Sequence, residues 1–407
     1  MDYRLTPEDV KFREEFRAWL AKAFPKDEPA PKLDTVEDRI RAYRNYQKKL
    51  SDGGYAGIHY PKEYGGRGGT LMEEIIVSEE LTPYAIAHAA NVNSIGFGMG
   101  LPTIYSVGTD EQKKMFIPKI LDGTHIWCQA FSEPNSGSDA ASISTRAEKK
   151  DGYYLVNGQK VWITSAQYAD MCMLLVRTDP DAPKHKGLSY LLMDMKLPGV
   201  EVRPIKQISE ESEFNEIFID NVKVPENMLV GRENEGWGVA ITTLMFERIM
   251  GDLNMANSFM LEFNQLLGMA RGMKRRGSPV LEDPMLRQKI AQIYIELMVL
   301  KYNGHRSAAK AIKGGVPGPE GSIGKLLWSE IHKKMTELAM EIQGPLNQLM
   351  KNSPLSVENG YWQYLFLTSK SGTIAAGTSE ILKNIIGERV LRLPKDMARS
   401  ILAKKGR

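Results

Sequence analysis

The chain has 407 residues, of which 42% are hydrophobic and 25% charged, ordinary proportions for a globular protein with length enough for two or three domains and a large core. Its 53 basic and 50 acidic residues leave a formal charge of +3, so composition gives no case for nucleic acid as the main partner, and no apolar run approaches the ~20 residues that span a bilayer. Two cysteines, Cys128 and Cys172, exclude a disulfide framework and suit a reducing compartment. The acidic start Met1-Asp2-Tyr3-Arg4-Leu5-Thr6-Pro7-Glu8 is unlike a secretory or mitochondrial leader, so a cytoplasmic location is expected, although a matured matrix protein would look the same. Methionine is in excess, 21 against 12 phenylalanines, and it is an adaptable filler of cores and of pockets for flexible apolar ligands.

Three regions are distinguished by hydrophobic period and turn chemistry. Residues 1–123 read as helices. Thr6-Pro7-Glu8-Asp9 caps a helix running to Phe24, Thr35 to Leu50 is a second that stops at Asp52-Gly53-Gly54, and Thr70 to Leu81 is a third. A further helical segment is expected from Ala85 onward, and Thr109-Asp110-Glu111-Gln112 is a capping box opening a helix to Leu121.

Residues 124–232 change to short β-branched and aromatic runs separated by Asp151-Gly152 and Asn157-Gly158, which are hairpin signals. Gly152–Thr164, Met171–Arg177, Gly187–Met195, Val200–Ile208 and Phe214–Val224 are the expected strands of an antiparallel barrel or sandwich. Residues 233–407 are helical again, with long stretches at Trp237–Lys274, Pro284–Ile312 and Glu320–Met350, then Thr378–Leu391 after a less regular segment. The expected class is α+β: an N-terminal helical domain, a middle β domain and a C-terminal bundle of long helices.

Several chemistries lack their motifs. Gly96-Phe97-Gly98-Met99-Gly100 does not have dinucleotide-loop spacing and follows no convincing strand, so these glycines suit close packing or a flat pocket wall. The histidines and cysteines are too scattered for a zinc site, and neither G-x-S-x-G nor a Walker loop occurs. The strongest signal is Trp127-Cys128-Gln129-Ala130-Phe131-Ser132-Glu133-Pro134-Asn135-Ser136-Gly137-Ser138-Asp139, with Lys160-Val161-Trp162-Ile163-Thr164-Ser165 after it. The first is a strand ending in a loop of small residues whose N–H and hydroxyl groups could cradle phosphate, or which could be an ordinary turn. The second places an indole and a hydroxyl at the end of a strand, a combination that suits a planar heterocycle.

Together the two segments resemble the flavin signature of the acyl-CoA dehydrogenases, E-P-x-x-G-S-D followed by K-x-W-I-T. The resemblance covers essentially the whole chain, including Pro61-Lys62-Glu63-Tyr64-Gly65-Gly66 and Gly377-Thr378-Ser379-Glu380-Ile381. It implies FAD as cofactor. Gln129, Phe131 and Ser132 would contact the flavin ring, Gly137 and Ser138 would lie near the pyrophosphate and the pantetheine arm, Trp162 and Thr164 would cover the other side of the flavin, and Thr378 and Glu380 would contact the adenosine half.

The implied reaction removes the proton α to a thioester carbonyl while the β hydride passes to the flavin, giving a trans-2-enoyl-CoA, with an electron-transferring flavoprotein taking the electrons. Some members carry the base in Tyr-Glu-Gly-Thr, where this chain has Ala375-Ala376-Gly377-Thr378. Others place it directly before an arginine on the helix after the β domain, which is matched by Phe246-Glu247-Arg248. Glu247 is therefore the expected base, with Leu244, Arg248 and Ser138 as substrate contacts and Met99 and Met250 as candidates to face the acyl tail. Asn91, Asn93 and Ser94 would add polarity to an acyl pocket.

Two departures stand out. Met273 falls where the family's cross-subunit FAD arginine is expected, leaving Arg275 or Arg276 to replace it, and Q-x-x-G-G becomes Glu341-Ile342-Gln343-Gly344-Pro345. A homotetramer and an α2β2 heterotetramer both remain open, as does a chain that shapes a shared site without being catalytically sufficient. An oxidase of the same fold is disfavoured by the lack of an extra C-terminal domain. The resemblance does not choose among branched, long-chain, aromatic, dicarboxylic and steroid thioesters.

Overall fold

The computed structural model describes residues 5–25, 31, 33, 35–84, 90–275, 277–313 and 318–395, with the side chains of residues 90, 91 and 247–251 outside that description. The chain divides into two compact units, 2–247 and 248–407.

In the first unit the N-terminal helices begin where their caps predict. Helix α1 (Pro7–Ala23) and helix α3 (Leu71–Leu81) start with capping boxes at Thr6/Asp9 and Thr70/Glu73, and Thr35 caps α2 (Val36–Asp52). After α4 (Leu101–Val107), the Thr109/Gln112 box opens α5 (Asp110–Leu121). The helix expected from Ala85 is not a single element. Residues 85–89 lie outside the described residues, and beyond them come a 3-10 turn at Ala90–Asn93 and a π-helical turn at Gly96–Gly100.

The polar residue behind this irregularity is Asn93. It is fully buried, donates through Nδ2 to the Tyr43 hydroxyl at 2.8 Å and the His125 carbonyl at 2.9 Å, and accepts the Trp127 N–H at 2.8 Å. A Cβ on Gly96 would come within 2.3 Å of Asn93 Oδ1, so glycine there leaves room for the amide. Asn93 thus faces the interior, contrary to the expectation that it lends polarity to an acyl pocket. Ser94 is exposed, and Asn91 lies outside the described side chains.

The β region comprises β1 (Trp127–Ala130), β2 (Arg146–Lys150), β3 (Tyr153–Thr164), β4 (Met171–Arg177), β5 (Leu188–Asp194), β6 (Val200–Pro204), β7 (Phe214–Pro225) and β8 (Leu229–Val230). The order is β6-β7-β3-β2-β4-β5-β8, with β1 paired to β4. Most pairings are antiparallel as expected, but β1 and β2 both run parallel to β4. Parallel neighbours need a crossover, and the loop between β1 and β2 belongs to it. Strand β2 escapes the hydrophobic pattern because Arg-Ala-Glu-Lys-Lys buries only Ala147.

Strands β4 and β5 are buried on both faces. Met171, Met173, Leu175, Leu188, Tyr190 and Leu192 join the core shared with the N-terminal helices, while Cys172, Leu174, Val176, Leu191 and Met193 fill the interior of the β domain. Such strands read as continuous apolar runs. Cys128 and Cys172 are free thiols, buried and in register across β1 and β4.

Helix α6 (Gly236–Gly272) has its first turns in this unit and the rest in the second. The second unit adds α7 (Pro284–Ile312), α8 (Gly321–Gln343), α9 (Tyr361–Gly372) and α10 (Ser379–Ile385). Its core interleaves Phe259, Phe263 and Leu266 with Ile290, Ile293, Leu297, Ile331, Met335, Leu338 and Trp362, the 3–4 residue spacing of packed helix faces. Helix α8 ends earlier than expected because Gly344 turns to φ +57 before Pro345. Helix α9 is hidden in the less regular segment because it begins at Gly360 with no side-chain cap.

Asn93→Ala removes one acceptor and two donors from a closed interior. The Trp127 N–H is left buried without its partner, a loss of about 1–3 kcal/mol for that group alone. A lower urea midpoint with unchanged m value is expected, and an unchanged midpoint would show that Asn93 does not hold the 90s segment to β1.

Candidate functional site

The loop after β1 is held from beneath by a buried ion pair. Glu133 and Lys160 have side chains only 4% and 0% exposed, with Lys160 Nζ 2.9 Å from Glu133 Oε1. The ammonium also donates to the Leu175 carbonyl at 2.7 Å and the Phe131 carbonyl at 3.2 Å. The other carboxylate oxygen accepts from the Ser144 N–H at 2.6 Å and its hydroxyl at 2.8 Å, while Oε1 also takes the Thr145 N–H at 2.8 Å. Each charge is therefore saturated, the condition under which a buried pair is tolerated. Burial pushes the Glu133 carboxyl up, but the Lys160 ammonium and the bonds from Thr145 and Ser144 outweigh it and hold the group at about 2.

Around this anchor the loop closes on itself. Glu133 and Ser136 exchange backbone hydrogen bonds, and the Val161 N–H donates to the Ser132 carbonyl, which ties the loop to β3. Asp139 pairs with Lys184 and accepts the Ser142 hydroxyl. Gly137 and Ser138 are exposed, and nothing lies within 4 Å of where a Cβ on Gly137 would sit. The backbone there is open to a ligand.

On β3 the pairing with β7 shifts register between Lys160 and Ile163, and Trp162 occupies that bulge with φ +62. For a bulky side chain this conformation costs about 1–3 kcal/mol and calls for a reason. The bulge leaves Val161 and Ile163 buried while the indole is 60% exposed, with the ring of Phe214 edge-on at 6.3 Å. A flat aromatic surface is thus held at the end of a strand beside the loop.

Of the expected flavin contacts, Gln129 and Ser132 are half-buried on the strand and its loop and Thr164 is half-buried two residues past the indole. Phe131 is buried, its ring edge-on to Tyr190 at 5.8 Å, so it offers little exposed surface. Leu244 packs partly buried against the core of the first unit, which also buries Met99. Glu247 and Arg248 lie on α6, and their side chains, with that of Met250, are outside the described residues.

In the second unit Thr378 is the N-cap of α10, accepting from the Ile381 N–H at 3.3 Å, and Glu380 is exposed in the first turn. The Glu380 carboxyl is lowered by its own backbone N–H and by the Thr378 hydroxyl. Two successive left-handed residues, Ala376 at φ +54 and Gly377 at φ +94, shape the approach. The Lys325 ammonium, almost fully buried, donates to the carbonyls of Gly372 at 2.7 Å and Gly377 at 2.9 Å. Met273 packs against the bundle core, Arg275 is exposed on a two-residue strand, and Arg276 lies outside the described residues.

The Glu133–Lys160 pairing and the Lys325 bonds beside Thr378 are features around the candidate residues that sequence reasoning missed. Glu133 and Lys160 are visible in the sequence as letters of a motif, but nothing in the sequence shows that they pair. Among the described residues no His, Cys, Asp and Glu cluster could hold a metal ion, and no helix is long and apolar enough to cross a membrane.

Models of the N-terminal, middle and C-terminal domains of acyl-CoA dehydrogenase match residues 6–124, 128–222 and 234–391. The chain is 37% identical over 406 residues to acyl-CoA dehydrogenase IpdE1 of Mycolicibacterium smegmatis, covering 95% of this chain and 98% of the relative. It is 30% identical over 411 residues to acyl-CoA dehydrogenase FadE26 of Mycobacterium tuberculosis, covering 96% and 98%. Among solved structures, it resembles the ChsE4–ChsE5 complex from Mycobacterium tuberculosis with TM-score 0.80, 29% identity and coverage of 97% and 100%. The Tcur3481–Tcur3483 steroid ACAD gives TM-score 0.78 at 27% identity, also covering 97% and 100%.

Lys160→Met leaves the Glu133 carboxylate buried and unpaired, at a cost of about 3–5 kcal/mol, read as a loss in urea midpoint. In the unaltered protein the carboxyl titrates lower folded than unfolded. Its stabilisation is complete above the ordinary carboxylate range near pH ~4.3 and is lost as pH falls toward about 2. An acid-unfolding curve of Lys160→Met identical to that of the parent would refute this role for the pair.

Proposed function

The chain belongs to the acyl-CoA dehydrogenase family, and on that premise we propose that it oxidises an acyl-CoA thioester to the trans-2-enoyl-CoA, using FAD and passing the electrons to an electron-transferring flavoprotein. The observation that carries this reading is the strained, outward-facing Trp162 beside a loop whose backbone is open at Gly137 and braced by the Glu133–Lys160 pair. A strained φ is kept where function needs the side chain presented. An open, small-residue loop fits a phosphate-bearing ligand, and a planar ring fits against the indole. These residues fit FAD.

Gln129, Ser132, Trp162 and Thr164 would hold and cover the flavin ring, with Phe131 behind it. Gly137 and Ser138 would take the pyrophosphate, Ser138 also meeting the pantetheine arm, and Thr378 and Glu380 would serve the adenosine half. When bound, FAD supplies the acceptor for the β hydride.

The protein's part in the chemistry is to remove the α proton. No carboxylate stands at Ala375-Ala376-Gly377-Thr378, and Glu247 on α6 is the proposed base, with Leu244 and Arg248 as proposed substrate contacts. Abstraction from carbon is easiest for a carboxylate whose pKa approaches neutrality, which apolar neighbours promote. Leu244, Met245 and Phe246, which precede Glu247 on the helix, are half-buried.

A second reading, that the chain is one subunit of a heteromeric enzyme, is favoured by Met273 where an arginine would be expected. It is also favoured by the likeness to the ChsE4–ChsE5 complex and to the Tcur3481–Tcur3483 steroid ACAD. The steroid-acting relative makes a bulky, ring-bearing acyl group the substrate class to test first.

Glu247→Gln is expected to fold and to keep its yellow flavin while losing flavin bleaching by acyl-CoA, with a rate reduced by about 10²–10⁴-fold. Undiminished anaerobic bleaching would exclude Glu247 as the base. Flavin content after purification separates the two assemblies: one FAD per chain in a homotetramer excludes the shared-site reading, and half occupancy with a co-purifying homologous chain establishes it.

A further inference from the structure

One helical turn before Glu247 on α6 stands Thr243, held in a closed set of buried hydroxyls. Thr103 on α4, Tyr190 on β5 and Thr243 are all fully buried. Thr103 Oγ1 donates to Thr243 Oγ1 at 3.0 Å, and Thr243 Oγ1 donates to the Val239 carbonyl, one turn back on its own helix, at 3.0 Å. The Tyr190 hydroxyl lies 3.1 Å from the same Thr243 oxygen.

Counting protons fixes the directions. A hydroxyl has one proton to give, and that of Thr243 goes to Val239, so Tyr190 must donate. The Thr243 oxygen therefore donates once and accepts twice, which is its full capacity. Burial pushes the Tyr190 phenol well up, so it stays protonated and able to donate at any working pH.

Two features give this arrangement leverage over α6. At the start of the helix, Gly236 sits so close to β5 that a Cβ would lie 2.6 Å from the Tyr190 nitrogen. The helix is thus held at its first residue by close approach and two turns later by directional bonds to a second helix and a strand. The Tyr190 ring also meets the Phe131 ring edge-on, so the residue that leads from β1 into the proposed flavin loop touches the same tyrosine.

Resting on the reading of Glu247 as the base, we propose that Thr243 is a positioning residue for the reaction: clamped by Thr103 and Tyr190, it fixes the rotation and height of the turn of α6 that carries Glu247. An isosteric valine would fill the same volume. It would leave two buried hydroxyl donors without an acceptor, and they can be satisfied only if the helix turns or water enters. Either moves the turn that bears the base, and a displacement of about 1 Å can cost on the order of 10²-fold in rate.

The test uses the flavin-loaded enzyme and anaerobic flavin reduction by whichever acyl-CoA bleaches the parent. Thr243→Val is expected to bind FAD with an unchanged spectrum, to leave KM nearly unaltered, and to reduce flavin on the order of 10–10²-fold more slowly. Thr243→Ser, which restores the oxygen, should recover most of that rate. Tyr190→Phe should lose less, because it removes a donor and strands none. If Thr243→Val does not fold, Tyr190→Phe decides, with a several-fold slower reduction expected at full flavin content.

Reduction at the parental rate in Thr243→Val, or a loss that follows flavin content alone and is not recovered by serine, overturns the proposal. Glu247→Gln run in parallel separates the two ideas. A dead Glu247→Gln beside a fully active Thr243→Val removes the positioning role and leaves the base, whereas a fully active Glu247→Gln removes both.

Discussion

A buried charge pair is the constraint on which the local structure around the loop after β1 depends. Lys160 and Glu133 lie in the interior, where an isolated charge would cost several kcal/mol, and they persist because five further hydrogen bonds saturate them. Those bonds run to β4, to the residue just after β1 and to the residues just before β2. One ammonium therefore joins the end of β1 to the strand beside it, and one carboxylate gathers the chain that returns from the loop. A packed apolar side chain could fill the space, but it could not specify where the Phe131, Leu175, Ser144 and Thr145 backbones stand relative to one another.

That anchoring explains why strain can be kept two residues away. Trp162 holds a left-handed backbone conformation in a β-bulge, and such a conformation survives only where its surroundings over-determine it. Lys160 on one side is tied at three points, and Ile163 on the other is buried and offers its carbonyl to Asn215, itself fully buried. The indole between them has no other place to go than outward. Rigidity beneath and presentation above are two consequences of the same local geometry.

Much of this organisation is legible in the linear chain. The cap at Thr6 and the capping box at Thr109 mark helix starts to within a residue because their hydrogen bonds are local. The apolar runs of β4 and β5 and the hairpin signal at Asp151-Gly152 mark strands because burial and turn geometry are local too. Features governed by distant partners are not visible there. Strand β2 carries mostly charged residues, α9 starts without a cap, the π turn at Gly96 accommodates a buried asparagine, and β1 runs parallel to a strand far along the chain.

By itself the sequence determined the class of the protein and the order of its helical and β regions, since both are written in contiguous residues with their own period and spacing. Only the tertiary structure decided what those residues do to one another. It made Asn93 an interior link instead of a pocket wall, converted two motif letters into a saturated ion pair, turned Trp162 outward and Phe131 inward, and brought Thr103, Tyr190 and Thr243 to a single oxygen. The reason is physical: hydrogen bonding and desolvation act at about 3 Å in space, and residues as distant in the chain as Thr103 and Thr243 come that close only once it has folded.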